Sequence, residues 1–364
     1  MITQQAFTKG DISQQFIPML SFLSLSVRFN ISFGILIKNL LTFLERIQGD
    51  LIFPVFVYED ERAYRQSLNS GFMNNSKVFS KNLISRFEEL AQLKISNLLL
   101  FGIPKKRDSS GSESFNKNGV IQRGIQTIKK TFDKKFNILS DVCVCQYNTS
   151  GHCGVTNRFN WASRQLKHEM RIDNDKTLNI LGKISLSLCE SGTDFIAPSS
   201  MMDGQILYLS NLLDKSGFKK VKIMSYSAKH NSCLYSPFRN YNYHNTSFID
   251  KSSYQSNFNN PRESMREILH DIKEGSDWVM IKPSLWYMDL VRLAKNLIDV
   301  PLVVQNVSGE YALLKAGSKI DSIDQREWIV QYLKSLRRAG ADKIISYLML
   351  DLFVEFEKTS PSSI

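Results

Sequence analysis

The feature that most constrains the fold of this sequence is a regular alternation of short apolar runs with segments of helical spacing. The runs are rich in branched and aromatic residues, which favour β-strands. Between most of them, apolar residues recur at intervals of three and four, the period of an amphipathic helix. Eight such repeats over about 300 residues predict a parallel α/β fold, specifically a (β/α)8 TIM barrel. The predicted strands are 51–57, 97–103, 136–144, 194–198, 221–226, 278–283, 301–307 and 342–347, and the helical segments include 80–93, 119–132, 175–191, 261–275 and 324–340.

Two nucleotide-binding patterns that would favour a doubly wound sheet are absent from the sequence. The glycine-containing segment 111–119 lacks G-x-G-x-x-G spacing, and no Walker A motif occurs in the chain. We therefore favour the barrel over this alternative. The expected organisation is an N-terminal arm or extra helices at 1–50, the barrel at 51–355 and a C-terminal tail at 356–364.

The composition is typical of a soluble protein. Hydrophobic residues make up 43% of the 364 residues, which is enough for a large core. No apolar run reaches the roughly 18 residues that a membrane-spanning helix needs, and the start of the chain is a poor match to a signal peptide. We expect a cytoplasmic location and no membrane partner. The five cysteines would stay reduced there, so clustered thiols point to metal binding or catalysis rather than to disulfides.

The formal net charge of +11 at pH 7 is compatible with an anionic partner such as nucleic acid. A nucleic-acid-binding module would gather its basic residues on one face, with aromatic residues between them. In this sequence the lysines and arginines are spread over the whole length. We therefore expect no nucleic-acid partner.

Three cysteines lie within eleven positions, in the spacing Cys-x-Cys-x7-Cys. Cys143 and Cys145 close a predicted strand, where residues i and i+2 share a face, and the turn at 148–154 would bring Cys153 back to them. Three thiolates suit zinc and leave one coordination position open, as catalytic zinc sites do. His152 could be a fourth ligand, although a sequence neighbour of Cys153 would need a strained turn to bind the same ion. The alternative is three idle buried thiols.

Two lysines form a second group of candidate residues. Lys229 and Lys282 each follow an apolar strand, at the end of the barrel where TIM-barrel chemistry takes place. Burial and a second cation would lower the pKa of an amine and release the neutral nucleophile that forms a Schiff base with a ketone. Asp141 precedes the cysteines by two positions and would share their face. Each lysine alone could instead reach solvent, and Asp141 could instead bond a loop amide.

Two lysines beside an open zinc would combine Schiff-base formation on a ketone with a Lewis acid. A Schiff-base aldolase on the same barrel would also explain the lysines, but it would leave the three thiols without a role. A long polar segment at 231–260 adds Arg239, Lys251 and Gln255, which could hold carboxylates, although loop cations are more often solvated.

Seven segments, in order over about residues 50–350, resemble the porphobilinogen synthase (5-aminolaevulinate dehydratase) family. The resemblance implies a zinc-dependent TIM-barrel lyase of tetrapyrrole (haem) biosynthesis that condenses two molecules of 5-aminolaevulinate into porphobilinogen. The segments are 141–154, 192–206, 222–240, 254–257, 272–292, 307–317 and 337–347.

The resemblance also implies roles for individual residues. Lys282 matches the lysine that holds the first substrate as a Schiff base, and Lys229 matches the second active-site lysine. Cys143, Cys145 and Cys153 match the ligands of zinc-using members, whereas another branch of the family has carboxylates there. Positions that match residues holding substrate carboxylates, amines or the lysines are Asp141, Ser199, Phe238, Arg239, Gln255, Ser308 and Tyr347.

Other features concern regulation and departures from the family pattern. Glu267 matches a position where many bacterial members bind an allosteric magnesium ion. Members often assemble as homo-octamers through an N-terminal arm, but residues 1–50 lack the arginine-rich pattern of many relatives. Lys251 stands where the family usually has arginine, so a point charge would replace a bidentate carboxylate clamp. A catalytically weakened family member is therefore an alternative interpretation.

Overall fold

The computed structural model describes residues 42–43, 46–158, 170–237, 249–319 and 324–351, and these contain eleven β-strands. The strands are β1 (Leu51–Tyr58), β2 (Lys77–Phe79), β3 (Asn97–Ile103), β4 (Asn137–Val142), β5 (Val155–Arg158), β6 (Met170–Asp173), β7 (Phe195–Pro198), β8 (Lys222–Lys229), β9 (Trp278–Lys282), β10 (Leu302–Gln305) and β11 (Lys343–Ile345).

The same residues form nine α-helices, which follow or separate the strands. They are α1 (Glu61–Leu68), α2 (Leu83–Gln92), α3 (Val120–Phe132), α4 (Asn174–Glu190), α5 (Gln205–Lys215), α6 (Pro261–Lys273), α7 (Met288–Lys295), α8 (Ser308–Gly317) and α9 (Gln325–Ala339).

Eight of the strands close into a parallel barrel in the order β1-β3-β4-β7-β8-β9-β10-β11, and β11 pairs back with β1. The predicted (β/α)8 TIM barrel is therefore confirmed, and each of the eight predicted strands corresponds to one barrel strand. The structure adds β2 beside the end of β1 and an antiparallel β5-β6 hairpin. These additional strands are too short for a sequence period to identify them.

The barrel strands are buried on both faces, which explains why they appear as continuous apolar runs. All residues of β1 and β3 are buried, as expected for a parallel sheet covered by helices. The surrounding helices each bury one stripe of side chains against the barrel. In α3, for example, Ile125 and Ile128 are almost completely buried, whereas Lys129 and Lys130 near its end are not.

Local polar contacts determine where several helices begin. The Asp60 side chain accepts a hydrogen bond from the backbone N–H of Ala63 at 2.8 Å, and α1 starts at the next residue. Asn260 caps α6 in the same way, with Pro261 at its first turn. These side chains satisfy N–H groups that have no partner within the helix.

The chain divides between Ile47 and Gln48, and the barrel belongs to the second of the two units. Most of the expected N-terminal arm at 1–50 and all of the expected tail at 356–364 lie outside the described residues, so the proposed domain boundaries stay predictions. Within the described ranges, no helix is both long and apolar enough to cross a bilayer.

We predict that Gly102→Ala destabilises the barrel. A Cβ atom on Gly102 in β3 would lie 2.1 Å from the Tyr147 hydroxyl oxygen and 2.6 Å from Cγ1 of Ile121. The resulting overpacking should lower the free energy of unfolding by about 1–3 kcal/mol, measured by urea denaturation. Gly49→Ala is the matched control, since its added methyl group would meet nothing within 4 Å. Equal unfolding midpoints for the two variants would contradict the prediction.

Candidate active site

Most of the candidate residues converge on one pocket at the carboxyl ends of the barrel strands. Phe238 and Arg239 lie outside the described residues. Cys143 and Cys153 do not line the pocket themselves, but their sulfur atoms lie close to that of Cys145, which does. Glu267 lines a different cavity. The candidates that line the pocket are Asp141, Cys145, Ser199, Lys229, Lys251, Gln255, Lys282, Ser308 and Tyr347.

Lys282 ends β9 and points its amine into the pocket. Its Nζ donates a hydrogen bond to Oε1 of Gln305 at 2.8 Å and lies 5.0 Å from the ring centre of Tyr226. Burial, followed by the positive charge of Lys229, lowers the pKa of Lys282 to about 7. A large fraction of this amine is therefore neutral and nucleophilic near neutral pH.

Lys229 is the neighbour of Lys282 in the β8-β9 register, but its pKa shifts in the opposite direction. Burial acts to lower the pKa of Lys229, but its Coulombic interactions with Cys153 first, and then with the other two cysteines and Asp141, outweigh burial and raise the pKa above its usual value. Its Nζ donates to the backbone carbonyl of Ser199. Lys229 is thus the ammonium of the pair and Lys282 the candidate neutral amine.

A bulge in β8 brings an additional residue to this pocket. Ser225 pairs with Val279 and Ala228 with Ile281, so β8 contains one more residue than β9 over this interval. Tyr226 and Lys229 consequently both line the pocket, whereas strict alternation would put residues three apart on opposite faces. Sequence alternation alone would therefore miss Tyr226.

Asp141 lies in β4 and lines the pocket with a carboxyl group of raised pKa. Burial raises this pKa to about 6, while the Ser199 side chain and the charges of Lys229 and Lys282 act in the opposite direction. Its Oδ2 accepts a long hydrogen bond of 3.4 Å from Gln146. Such a carboxyl group can exchange a proton near neutral pH.

Three buried polar atoms around the pocket have no hydrogen-bond partner among the described residues. They are Oδ1 of Asp141, the hydroxyl oxygen of Tyr226 and Oε1 of Gln255. Buried polar atoms are normally paired, because leaving them unpaired costs free energy. Their location in one pocket indicates a binding site for a polar ligand.

The sulfur atoms of Cys143, Cys145 and Cys153 lie within 4.8 Å of one another, and all three side chains are buried. The proximity of Cys143 and Cys145 does not arise from strand alternation, as we expected, because β4 ends at Val142. The predicted turn at 148–154 does bring Cys153 back to them. Gly151 adopts a φ of +70° in this turn, a conformation that favours glycine, and its N–H donates to the Asn148 side chain at 2.7 Å.

A second segment of the chain holds this turn in place. The Tyr254 hydroxyl accepts a hydrogen bond from the backbone N–H of Cys153 and contacts Nδ1 of His152, both at 3.2 Å. Lys251 donates to the sulfur of Cys153 at 3.3 Å. Lys251 therefore contacts the cysteine cluster as well as lining the pocket.

The cluster has the chemistry of a metal site. Hydrogen bonds from Cys143 and Cys145 lower the pKa of the Cys153 thiol well below its usual value, so one sulfur is readily a thiolate. Soft sulfur ligands in a buried group of three suit zinc. Within the described residues no histidine or carboxylate joins the group, so His152 is not placed as a fourth ligand.

The loop after Lys282 is tied to the helix that begins at Ser308. The buried Glu310 carboxylate accepts hydrogen bonds from the backbone N–H groups of Val307 at 2.7 Å and Ser284 at 2.9 Å. The Ser308 hydroxyl donates to the carbonyl of Leu234 at 3.2 Å. These contacts hold the two pocket residues Lys282 and Ser308 in a defined relative position.

Sequence reasoning missed several residues of the site, namely Tyr226, Gln305, Tyr254 and Glu310. Gln305 gave a weak signal, because it is a polar residue near the end of an otherwise apolar predicted strand. The other three lie within segments that carry the family resemblance, but no pattern singled them out, since their roles depend on a bulge and on contacts between distant segments.

Glu267 lies on α6 and lines a polar cavity together with three further carboxylates, Asp203, Glu263 and Asp271. Burial raises the pKa of Glu267. Tyr226 and Gln255 line this cavity as well as the pocket of the lysines, so the two spaces adjoin. The magnesium role expected for Glu267 stays a prediction.

Comparisons with known proteins agree on one family. The sequence model of the delta-aminolevulinic acid dehydratase family matches residues 36–354. Delta-aminolevulinic acid dehydratase of Archaeoglobus fulgidus is 41% identical over 300 residues, which cover 82% of this chain and 88% of that protein. The Helicobacter pylori enzyme is 40% identical over 299 residues, with 82% and 88% covered.

A solved structure extends the match to three dimensions. It is delta-aminolevulinic acid dehydratase (porphobilinogen synthase) of Toxoplasma gondii ME49 in complex with the reaction product porphobilinogen. The TM-score is 0.76 at 30% sequence identity, with 86% of this chain and 87% of that chain covered.

We predict that the two lysines differ in reactivity towards trace acetic anhydride in metal-depleted protein. Acetylation of Lys282 should rise as the pH passes through about 7, since a lowered pKa leaves the amine neutral above that pH. Lys229 should react little over the same range, because its pKa is raised. Peptide mass mapping measures both, with the exposed Lys117 as an internal reference. Equal labelling of the two lysines would contradict the opposite pKa shifts assigned to them.

Proposed function

This chain belongs to the delta-aminolevulinic acid dehydratase family, and we propose that it condenses two molecules of 5-aminolaevulinate into porphobilinogen and two molecules of water through lysine Schiff bases. The observation that carries the mechanism is the pair of adjacent buried lysines with opposite pKa shifts. One supplies a neutral amine and the other a proton. The cysteine cluster that opens on the same pocket favours this reaction over the aldolase alternative.

The first substrate would form its Schiff base on Lys282. The lone pair of Nζ attacks the ketone carbon, the carbon–nitrogen bond forms, and the carbonyl oxygen takes up the released electron pair. That oxygen leaves as water after receiving one proton from Nζ and one from an acid. The Lys229 ammonium is the acid we assign, because its raised pKa keeps it protonated. The resulting iminium retains one N–H.

The second substrate would be held beside the first, with its ketone near Lys229. After losing its proton, Lys229 can form the second Schiff base. Asp141 is suited to accept protons during bond formation, because its pKa of about 6 leaves it mostly ionised at neutral pH. The polar side chains proposed to bind the substrates' carboxylates and amines are Ser199, Lys251, Gln255, Ser308 and Tyr347, with Phe238 and Arg239 assigned from the family resemblance.

We assign Cys143, Cys145 and Cys153 as the residues that would hold a catalytic zinc ion. When bound, zinc supplies a Lewis acid beside the pocket. Lys251, whose ammonium contacts the Cys153 sulfur, would offset part of the charge of the three thiolates. We further propose that Glu267 binds an allosteric magnesium ion and that the protein forms a homo-octamer, both on the basis of the family resemblance. The proposed cytoplasmic location rests on the sequence.

We predict that metal removal separates adduct formation from product formation. Chelated protein given 5-aminolaevulinate and borohydride should still carry a reduced adduct on Lys282, because the amine alone adds to the carbonyl. It should form almost no pyrrole, and added zinc should restore the product. Peptide mapping locates the adduct, and an aldehyde colour reaction measures porphobilinogen.

Variants of the two lysines test separately which lysine carries the adduct and which is needed only for the product. Lys282→Met should lose both adduct and product. Lys229→Met should lose product but keep an adduct on Lys282 at higher pH, since removing the neighbouring charge raises the pKa of Lys282. A label found only on Lys229, or one that requires zinc, would refute this division of roles.

We predict that Cys153→Ala lowers the bound zinc from about one ion per chain to near zero, because two sulfur ligands hold zinc much more weakly than three. Elemental analysis after dialysis measures the metal independently of activity. Cys233→Ala is the matched control, since Cys233 is exposed and lies outside the cluster. Full zinc content in a Cys143→Ala and Cys153→Ala double variant would rule out the metal assignment.

A further inference from the structure

We propose that Gln305 is a positioning residue for Lys282: its amide oxygen orients the amine for attack on the substrate carbonyl without adding negative charge beside it. This inference rests on the proposed Schiff-base function. It concerns a residue that neither the sequence motifs nor the family resemblance singled out.

The position of Gln305 follows from the strand register. Val304 of β10 pairs with Ile281 of β9, so the following residues, Gln305 and Lys282, lie side by side at the ends of their strands. On its other side Gln305 pairs with Ile345 of β11. The Gln305 side chain is 2% exposed, and its Oε1 lies 2.8 Å from Nζ of Lys282. The contact is therefore short, buried and anchored on two strands.

The two partners of Gln305 determine the orientation of its amide. The atom that faces Nζ of Lys282 is the amide oxygen Oε1, which can accept an N–H from either the neutral amine or the ammonium. The amide NH2 then faces the hydroxyl of Tyr347, and a hydrogen bond from Gln305 acts to lower the pKa of that tyrosine. Gln305 thus connects the Schiff-base lysine to a proposed substrate-binding residue.

A neutral acceptor suits every state of the nitrogen in the first step. The neutral amine has two N–H bonds and one lone pair, and bonding one N–H to Gln305 restricts the directions in which the lone pair can point. When the carbon–nitrogen bond has formed and water has left, the iminium still has one N–H to donate to the same oxygen. A carboxylate in this position would instead stabilise the ammonium and raise the pKa of Lys282.

Other charged and titratable groups also act on Lys282, so an experiment must isolate Gln305 by changing it alone. From the neighbouring strands and loops these groups are the Lys229 ammonium, the Asp141 carboxyl, the Cys145 and Cys153 thiols, and the phenol rings of Tyr226 and Tyr235.

The test compares Gln305→Met, which keeps the size but removes the acceptor, with Gln305→Glu, which keeps an acceptor and adds charge. The zinc-loaded proteins are mixed with saturating 5-aminolaevulinate, and the rate of adduct formation on Lys282 is measured by borohydride trapping across a range of pH. Thermal unfolding of each protein is recorded in parallel. Gln122→Met is the control, because it removes a buried glutamine amide that bonds Ser114 and Ser187 away from the pocket.

We expect Gln305→Met to lower the plateau rate roughly tenfold, the effect of losing one hydrogen bond that orients the nucleophile. In Gln305→Glu the pH midpoint should move up by about one unit or more, and the rate above that midpoint should recover towards wild type. Gln122→Met should lower the unfolding temperature without changing either quantity.

The outcomes separate the inference from the function on which it rests. The positioning role is overturned if Gln305→Met forms the adduct at the wild-type plateau rate, or if the pH midpoint of adduct formation does not move in Gln305→Glu. Either result counts even if both variants are less stable. If Gln305→Met does not fold, the midpoint of Gln305→Glu decides alone. Absence of any adduct in the wild-type protein overturns the proposed Schiff-base function and this inference together.

Discussion

The arrangement of the candidate active site depends on two lysines that are buried side by side in adjacent strands. The register that pairs Lys229 with Lys282 brings two potential cations into one dry pocket, where their repulsion is only weakly screened. The pair can be stable if one amine gives up its proton and the other is offset by negative charge. The opposite pKa shifts of the two lysines reflect this, with the cysteines and Asp141 supplying the negative charge around Lys229.

The lysine pair makes the protonation of the cysteine cluster and that of the pocket lysines interdependent. The sulfur atoms contribute to keeping Lys229 protonated, and a protonated Lys229 in turn contributes to lowering the pKa of Lys282. A cation bound by the three thiolates would weaken the first effect, so metal occupancy and lysine protonation should be linked. The contacts of Lys251 and Tyr254 with Cys153 extend this coupling to the segment that follows residue 248. The protonation of each of these groups, which lie at the ends of several strands, therefore depends on the charges of the others.

Much of the fold and part of the site could be predicted from the sequence. The eight barrel strands are buried on both faces, so their apolar runs were visible without any structure. Cys143, Cys145 and Cys153 were visible because three rare residues occurred close together. Short elements such as β2 were missed because three residues carry no period. Tyr226 was missed because a bulge changes the alternation of β8, and Gln305 because its partner lies on another strand.

The sequence by itself determined the barrel, the strand ends that carry the reactive side chains and the family to which the chain belongs, because these depend on local periodicity and short motifs. Only the tertiary structure decided which lysine has the lowered pKa, how the three sulfurs converge and which polar atoms remain unpaired in the pocket. Those properties arise from burial and from distances between segments far apart in the chain. The contact of Lys251 with the Cys153 sulfur and the hydrogen bond between Lys282 and Gln305 are examples, since both depend on the three-dimensional arrangement of the backbone.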